Sequence, residues 1–556
     1  MSTWWKKAVV YQIYPKSFND TTGNGVGDIP GIIEKLDYLQ KLGVDVLWLT
    51  PIYKSPQRDN GYDISDYFAI HEEYGTMEDF DLLLEESHKR NIKIIMDIVV
   101  NHTSTEHEWF KQSKSSKDNP YRNYYIWKDA EKGSVPTNWV SKFGGSAWEY
   151  DANTGQYYLH LFDVTQADLN WENEEVRKKV YDMMDYWLKK GVDGFRLDVI
   201  NLISKDQRFP NDDQGDGRRF YTDGPRIHEF LHEMNQHVFS NYDIMTVGEM
   251  SSTTINNCIQ YTQPERKELT MTFNFHHLKV DYPSGDKWTK ADFDFLELKR
   301  ILSTWQVEMH KGGGWNALFW CNHDQPRVVS RFGDDGKYHK ESAKMLATTI
   351  HMMQGTPYIY QGEEFGMTNP KFDKIEEYRD VESKNIYEIK LKEGMNPQEI
   401  LEILKQKSRD NSRTPMQWED SVNAGFTNGT PWIPIPENYH DINAEKAIHD
   451  RDSIFYHYQK LVHLRKKHDI IIDGDYQLIL DEHPRIFSYL RNIPGEKLLV
   501  INNFYVEGVT FELPESIDVT GYLSEILISN YPDTSEDFSK LELRPYESVV
   551  YHLKKS

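Results

Sequence analysis

Hydrophobic positions alternate along the chain between short β-rich runs and longer stretches with helical spacing. The run 94–100 is almost wholly apolar, whereas Val176, Val180, Met184 and Trp187 recur at the spacing of one helical face. Eight strand–helix pairs follow one another. The expected strands are 9–14, 44–49, 94–100, 194–198, 244–248, 271–275, 316–320 and 357–360. Repeated βα units predict a parallel sheet covered by helices, and eight of them favour an α/β fold of the (β/α)8 TIM-barrel type over an open doubly wound sheet.

Two insertions and a terminal segment interrupt this alternation. The non-periodic stretch 103–166 follows the third strand and predicts a separate domain B, and a charged insertion at about 369–450 follows the eighth strand. Beyond about residue 475, short alternating runs predict a C-terminal all-β sandwich. The expected domains are therefore a catalytic barrel (1–102 and 167–474), domain B (103–166) and a β-sandwich (475–556).

The charge balance narrows the range of partners. The 556 residues include 64 Lys and Arg and 88 Asp and Glu, for a net charge of −24. Such an acidic chain argues against nucleic-acid and membrane-surface binding, because both need a basic face. We expect no signal peptide and no transmembrane helix, and two cysteines fit a reducing compartment. A cytoplasmic enzyme with a small-molecule substrate, monomeric or weakly oligomeric, is expected.

Acidic side chains close three of the expected strands, at the barrel end where TIM-barrel active sites lie. They are Asp198, Glu249 and Asp324, accompanied by Arg196, His102 and His323. Converging carboxyls suit glycosidic cleavage, in which one carboxylate attacks the sugar and a protonated acid assists the leaving oxygen. Arg196 shares a strand face with Asp198 and is expected to keep it ionised. One alternative is a zinc site built from the same histidines and carboxylates, which the positive charge of Arg196 would disfavour. The other is that these acids only cap helices and have no catalytic role.

Four segments carry a family resemblance. Residues 97–102, 194–198, 247–249 and 322–324 resemble, in order and placement, the four signature regions of the α-amylase superfamily of glycoside hydrolases, and 166–170 resemble its fifth region. This resemblance implies that Asp198 is the nucleophile, Glu249 the acid/base and Asp324 the stabiliser of the transition state. It also implies substrate contacts from Asp59, Tyr62, His102, Phe162, Arg196, His323 and Arg413.

The motifs at 59–62 and 412–418 resemble the oligo-1,6-glucosidase-like branch of that superfamily. In this branch a pair equivalent to Asp59 and Arg413 closes a blind pocket for one terminal glucose. Val199 directly follows the expected nucleophile, and a valine at this position resembles the sequence of enzymes that cut α-1,6 or unusual linkages. The resemblance implies an exo-acting, retaining α-glucosidase.

Three further segments, 170–177, 273–283 and 312–320, resemble members of the branch that hydrolyse trehalose 6-phosphate to glucose and glucose 6-phosphate. A phosphorylated leaving sugar needs cations at the pocket rim of an otherwise acidic protein. The loop after the sixth strand supplies His276, His277, Lys279 and Lys287. We expect Lys279 to contact the phosphate, with Lys287 second, and an ordinary solvated lysine is the alternative for each.

Three other functions remain open at this point. An oligo-1,6-glucosidase acting on isomaltose would share every catalytic residue, and a transglycosylase would share the same intermediate. A non-catalytic, amylase-like transporter subunit would need a transmembrane helix, which the sequence does not predict.

The loop 20–28 carries oxygen-bearing side chains at alternate positions and resembles the calcium loop of this branch. The residues concerned are Asp20, Thr22, Asn24, Val26 and Asp28. A structural Ca²⁺ or Mg²⁺ ion is therefore expected there, with an empty turn as the alternative. No cofactor is expected for catalysis.

Overall fold

A closed barrel of eight parallel strands forms the centre of the computed structural model, which describes residues 3–556. The strands are β1 (Val10–Ile13), β2 (Val46–Leu49), β3 (Lys93–Ile98), β4 (Gly194–Leu197), β5 (Met245–Glu249), β6 (Met271–Phe273), β7 (Ala317–Leu318) and β8 (Thr356–Tyr360). Strands β1 to β6 are hydrogen-bonded in sequence order, and β8 lies between β1 and β7. A parallel bridge between Thr272 and Asn316 closes the ring. The predicted TIM barrel is confirmed.

The helix Glu174–Lys190, which follows β3 after domain B, shows how the sequence builds the outer layer. The Asn173 side chain accepts a hydrogen bond from the backbone N–H of Glu175 and caps its N-terminus. Gly191 ends the helix at a φ of 110°, a left-handed conformation that glycine adopts without strain. Further helices around the barrel are Ile29–Glu34, Leu36–Leu42, Met77–Lys89, Ile227–His237, Ile255–Thr262, Phe295–Lys311, Val328–Phe332, His339–His351 and Ile454–Lys467.

Domain B leaves and re-enters the barrel at one point. The strand His102–Ser104 pairs antiparallel with Gln166–Asp168, so both ends of the excursion are held together beside β3. Between them, Trp127–Asp129, Gln156–Leu159 and Trp148–Asp151 form a three-stranded antiparallel sheet. Its aromatic core is continuous with residues from the loop after β4, which fixes domain B over the C-terminal end of the barrel.

The insertion after β8 folds into helices on the same end of the barrel. The helices are Val381–Lys392, Pro397–Lys407 and Ala444–His449. The first two pack on a small apolar cluster of their own that includes Tyr378 and Leu404. The insertion therefore contributes to the wall around the barrel mouth.

The C-terminal segment is all β, as predicted. A five-stranded antiparallel sheet runs in the order Asp475–Ile479, Ile486–Ile493, Glu496–Asn503, Ser548–Lys555, Tyr522–Ser529. The strands Val509–Glu512 and Lys540–Leu543 pair with each other and share one apolar core with the larger sheet. Arg491 donates hydrogen bonds to the carbonyls of Met352 and Ile471, which attaches this domain to the helical layer of the barrel.

Two smaller expectations concern membranes and cysteines. Within residues 3–556, none of the helices combines the length and the apolar character needed to cross a membrane. Cys258 and Cys321 are both buried and both carry free thiols, so they do not pair.

Candidate active site

A cavity of about 240 Å³ opens at the C-terminal ends of the barrel strands. The three predicted catalytic carboxyls, those of Asp198, Glu249 and Asp324, all line it. Side chains from the loop after β2, from domain B, from the loop after β6 and from the insertion complete its wall. The site is therefore assembled from strand ends below and from three long loops above.

Arg196, on β4, holds the carboxyls of three strand ends together. Its Nη1 lies 2.7 Å from Oδ1 of Asp198 and 2.8 Å from Oδ1 of Asp97. Its Nη2 lies 2.5 Å from Oε2 of Glu249. All of these bonds are charge-assisted and buried, so one guanidinium fixes Asp198 and Glu249 against the same small volume.

The expectation that Arg196 keeps Asp198 ionised needs correction. Burial raises the pKa of Asp198 well above its usual range, Arg196 opposes that shift, and the negative charges of Glu249 and Asp97 add to it. Asp198 therefore keeps its proton to higher pH than a free carboxyl would, because burial and the neighbouring negative charges disfavour its ionised form more than Arg196 favours it.

Asp324 has the opposite electrostatic environment. Its Oδ1 lies 2.7 Å from Nη2 of Arg413 and 3.4 Å from Nη1 of Arg409, and its Oδ2 lies 3.3 Å from Nε2 of His323. Burial alone would raise the pKa of Asp324, but these neighbours hold it well below the usual range. Asp324 is therefore a permanent negative charge beside the Asp198–Glu249 pair.

Tyr62, His102 and Phe162 line the cavity, and the fully buried His323 packs behind Tyr62 without lining it. The His323 ring stacks parallel to Tyr62 at 5.2 Å between centroids, and its Nδ1 contacts the Gln12 amide at 2.7 Å. The His102 ring packs against Phe162 at 5.1 Å. Burial lowers the pKa of His102 to about 4 and that of His323 to about 3, so both rings are neutral hydrogen-bonding groups at pH 7.

The partner of Asp59 differs from the expected one. Oδ1 of Asp59 lies 3.1 Å from Nη2 of Arg409, and the expected partner Arg413 contacts Asp324 instead. Arg413 is turned away because its Nε donates a hydrogen bond to the His323 carbonyl at 2.8 Å. The predicted Asp59–Arg413 pair was wrong, and Arg409 closes that end of the cavity.

Arg409 belongs to the insertion after β8 and is held in place by contacts within the insertion and with domain B. It lies 2.5 Å from Oδ1 of the buried Asp380, and its guanidinium lies 4.9 Å from the centre of the Phe143 ring of domain B. Burial raises the pKa of Asp59 to about 6, although Arg409 and Arg413 oppose the shift. The insertion therefore takes part in the pocket wall.

Val199, directly after Asp198, adopts a strained backbone conformation. Its φ of 37° and ψ of 39° lie in the left-handed region, which a β-branched residue rarely occupies. The conformation turns the Val199 N–H toward Oε2 of Glu249, at 3.2 Å. Strain at this position thus supplies a second donor to the predicted acid/base.

Three lysines reach the cavity wall, and only one of them is neutralised. Nζ of Lys287 lies 2.8 Å from Oε2 of Glu382. Lys279 lines the cavity, is exposed, and has no carboxylate within ion-pair distance among residues 3–556. Lys142, in domain B, lies 3.0 Å from the Ser251 hydroxyl and likewise has no acidic partner in the described chain. Lys142 and Lys279 are thus the free cations of the site.

His276 and His277, in the loop after β6, do not add to the cations of the site. His277 is buried, its Nε2 contacts the Phe319 carbonyl at 2.8 Å, and burial lowers its pKa to about 4. His276 packs on Trp305 at 5.2 Å between ring centroids, outside the cavity lining. The expected rim of four cationic groups is reduced to its lysines because both rings pack into the barrel wall.

The loop 20–28 does not fit a bound Ca²⁺ or Mg²⁺ ion. Both oxygens of Asp20 accept hydrogen bonds, from the N–H groups of Thr22, Gly23 and Gly25 and from the Thr22 and Thr427 hydroxyls. Asp28 accepts from Gly31 and caps the helix Ile29–Glu34, and Asn24 accepts from Val26. Donor hydrogens point where a cation would need lone pairs. Nor do residues 3–556 bring three His, Cys, Asp or Glu side chains together as a metal site would.

Several residues of the site escaped the sequence analysis. They are Lys142, Phe143, Asp380, Glu382 and Arg409. Domain B and the insertion carry all five, and neither region belongs to the strand–helix alternation that identifies the active-site end of the barrel. One signal was present, because Arg409 and Arg413 are four residues apart and share one short segment.

The fold and the strand-end chemistry agree with comparisons against known proteins. A model of the α-amylase catalytic domain matches residues 12–474, and a model of the C-terminal domain of the α-amylase SusG matches residues 486–550. The chain belongs to the α-amylase family. The family resemblance predicted from the signature regions is thereby confirmed.

Relatives that match over nearly their full length include a trehalose-6-phosphate hydrolase and an oligo-1,6-glucosidase. The chain is 69% identical over 553 residues to the trehalose-6-phosphate hydrolase of Bacillus subtilis, covering 99% of this chain and 98% of the relative. It is 57% identical over 559 residues to the oligo-1,6-glucosidase of Parageobacillus thermoglucosidasius, covering 99% of each. The crystal structure of the Bacillus licheniformis trehalose-6-phosphate hydrolase superposes with a TM-score of 0.97 at 71% identity, covering 100% of both chains.

Proposed function

We propose that this protein hydrolyses trehalose 6-phosphate to glucose and glucose 6-phosphate. The observation that carries the proposal is Lys279, a cation on the cavity wall that has no acidic partner within residues 3–556, in a chain whose net charge is −24. A neutral disaccharide has no use for such a charge, whereas a phosphate on the leaving sugar does. The name of the 69% identical relative supports the same substrate.

The first half of the reaction uses Asp198 and Glu249. The unphosphorylated glucose occupies the end of the cavity closed by Asp59 and Arg409. An oxygen of Asp198 attacks C1, the bond from C1 to the bridging oxygen breaks, and that oxygen takes the proton of Glu249. Glucose 6-phosphate departs and a β-glucosyl ester remains on Asp198.

The second half reverses these roles. Glu249, now ionised, takes a proton from water as the water oxygen attacks C1 and displaces Asp198. Two inversions return the α-anomer, so the configuration is retained. Asp324 and Arg196 contribute fixed charges around the developing oxocarbenium ion, and these charges need no rearrangement during the reaction.

The second candidate is an oligo-1,6-glucosidase acting on isomaltose, which the 57% identical relative favours by its name. It would use the same Asp198, Glu249 and Asp324. The two functions differ in the leaving sugar, because only trehalose 6-phosphate carries an anion for the rim lysines to bind.

Side-by-side hydrolysis of trehalose 6-phosphate, trehalose and isomaltose tests the proposal. Trehalose is the matched control, because it lacks only the phosphate. We expect kcat/KM for trehalose 6-phosphate to exceed that for trehalose by about 10² or more, since unsatisfied cations disfavour the neutral analogue. Equal or better hydrolysis of isomaltose would favour the second candidate.

A further inference from the structure

Domain B contributes one charged side chain to the cavity that the reaction above does not use, Lys142. Its backbone N–H donates to the Leu161 carbonyl at 2.8 Å, and the hydroxyl of the preceding Ser141 donates to the Phe162 carbonyl at 2.6 Å. Phe162 is the ring that packs on His102. The turn that carries Lys142 is therefore fixed to the pocket wall.

The contact made by Lys142 places it beside the leaving group. Its Nζ lies 3.0 Å from the hydroxyl of Ser251, two residues beyond Glu249. Both backbone groups of Ser251 are held by the Asn201 side chain, at 3.0 Å and 2.9 Å, so this position is rigid. Because Glu249 protonates the leaving oxygen, a cation at Ser251 faces the sugar that departs.

The charge of Lys142 is left uncompensated. The side chain is half-buried against the Tyr221 ring, 5.6 Å from its centre. Burial lowers the pKa of Lys142 to about 7, and Arg218 adds to the shift. Lys287 shows the contrast, since Glu382 neutralises it. A half-buried ammonium without a counter-ion is unfavourable, and a bound anion would relieve that cost.

We infer that Lys142 contacts the phosphate of the leaving sugar and forms, together with Lys279, a two-lysine clamp for a phosphate monoester. The two lysines approach from different walls, domain B and the loop after β6, and both line the same cavity as Glu249. A phosphate dianion accepts charge-assisted hydrogen bonds from both ammonium groups. This inference rests on the proposed function and deepens it.

Substitution of Lys142 by methionine, which keeps the apolar stem and removes the charge, tests the clamp. Wild type and K142M are compared on trehalose 6-phosphate and on p-nitrophenyl α-glucoside, which presents the same glucose without a phosphate. We expect kcat/KM for trehalose 6-phosphate to fall by about tenfold or more, and to fall at least about five times further than for the glucoside. K142R, which restores the charge, should recover much of the difference.

Lys128→Met is the matched control. Lys128 is another half-buried lysine of domain B that lies over an aromatic ring, 4.2 Å from the centre of Phe209, but it does not line the cavity. Its removal changes the net charge by the same unit, and we expect neither substrate to respond. Inhibition by glucose 6-phosphate, measured with the glucoside as substrate, should weaken in K142M and stay unchanged in K128M.

Each outcome separates the clamp from the proposed function. Equal losses of K142M on both substrates would mean that Lys142 only supports the pocket wall, and no loss on either would mean that the phosphate does not reach it. Both results overturn the clamp. A wild-type enzyme that prefers isomaltose would overturn the proposed function itself, before any variant is made.

Discussion

The two parts of the cavity differ in how their charges are balanced. At the deep end, Arg196 is shared by Asp198 and Glu249, and Arg409 is shared by Asp59 and Asp380. At the rim, Lys142 and Lys279 have no acidic partner in the described chain. One end is an ion network that is already satisfied, and the other holds cations that only a substrate can satisfy.

The deep end therefore holds the groups that react, and the rim holds the groups that select the substrate. Paired and buried charges cannot reorganise, so they hold the reacting carboxyls in place for any α-glucoside. Unpaired cations contribute little to geometry but attract an anion. The barrel strands supply most of the first set, whereas domain B and the loop after β6 supply the second. Substitutions at the deep end should affect all substrates, and those at the rim only phosphorylated ones.

The largest expected effect is that of Asp198→Asn. The amide keeps the shape and cannot attack C1, so kcat should fall by about 10⁴ or more on trehalose 6-phosphate and on p-nitrophenyl α-glucoside alike. Steady-state kinetics measure the loss, and thermal unfolding of the same sample checks that the fold is intact. A folded variant with more than a tenth of the wild-type activity would contradict the assigned role.

Arg409→Met should have the next largest effect, again on both substrates. It leaves the buried Asp59 and Asp380 without their shared cation, so we expect kcat/KM to fall by about 100-fold and the protein to lose about 3 kcal/mol of unfolding free energy. Arg208→Met is the control, because Arg208 is exposed and, among residues 3–556, pairs only with its neighbour Asp206. A loss of activity on the phosphorylated substrate alone would contradict the claim that the deep end serves every α-glucoside.

A smaller effect should appear in the pH profiles. Burial raises the pKa values of Asp59 and Asp97 to about 6, so both lose their charge as the pH falls below 6, and hydrolysis of the glucoside should decline there. Lys142, with a pKa of about 7, loses its charge as the pH rises. The ratio of trehalose 6-phosphate to glucoside kcat/KM should therefore fall above pH 7.

Four charged groups and one aromatic ring face Lys142. They are Arg218, Asp216, Tyr221, Lys279 and Glu249. K142M provides the comparison, because its ratio should lose the step near pH 7 while keeping the acid-side decline on the glucoside. A ratio that is flat from pH 6 to 9 in the wild type would contradict a role for this lysine.

The barrel and its strand-end chemistry could be predicted because both depend on local pattern. Apolar runs fixed the strands to within a few residues, and the position after a strand is the same end of every TIM barrel. Asp198, Glu249 and Asp324 could therefore be brought together without coordinates. Strand β7 was the poorest match, expected at 316–320 and found at Ala317–Leu318.

The rest of the site depends on contacts between segments far apart in sequence. Asp59 meets Arg409 across 350 residues, and Lys142 meets Ser251 across 109. The spacing of hydrophobic residues along the chain does not reveal such contacts. The loop 20–28 misled for another reason, since alternating oxygen side chains serve hydrogen-bonded turns as readily as they serve cations.

The measurement that tests this account most directly is the substrate selectivity of Lys279→Met. The variant leaves every deep-end ion pair in place and removes one free cation from the rim. We expect the ratio of kcat/KM for trehalose 6-phosphate to kcat/KM for p-nitrophenyl α-glucoside to fall by about tenfold or more, with the glucoside value changing by less than about threefold. An unchanged ratio would contradict the claim that the rim cations select a phosphorylated sugar.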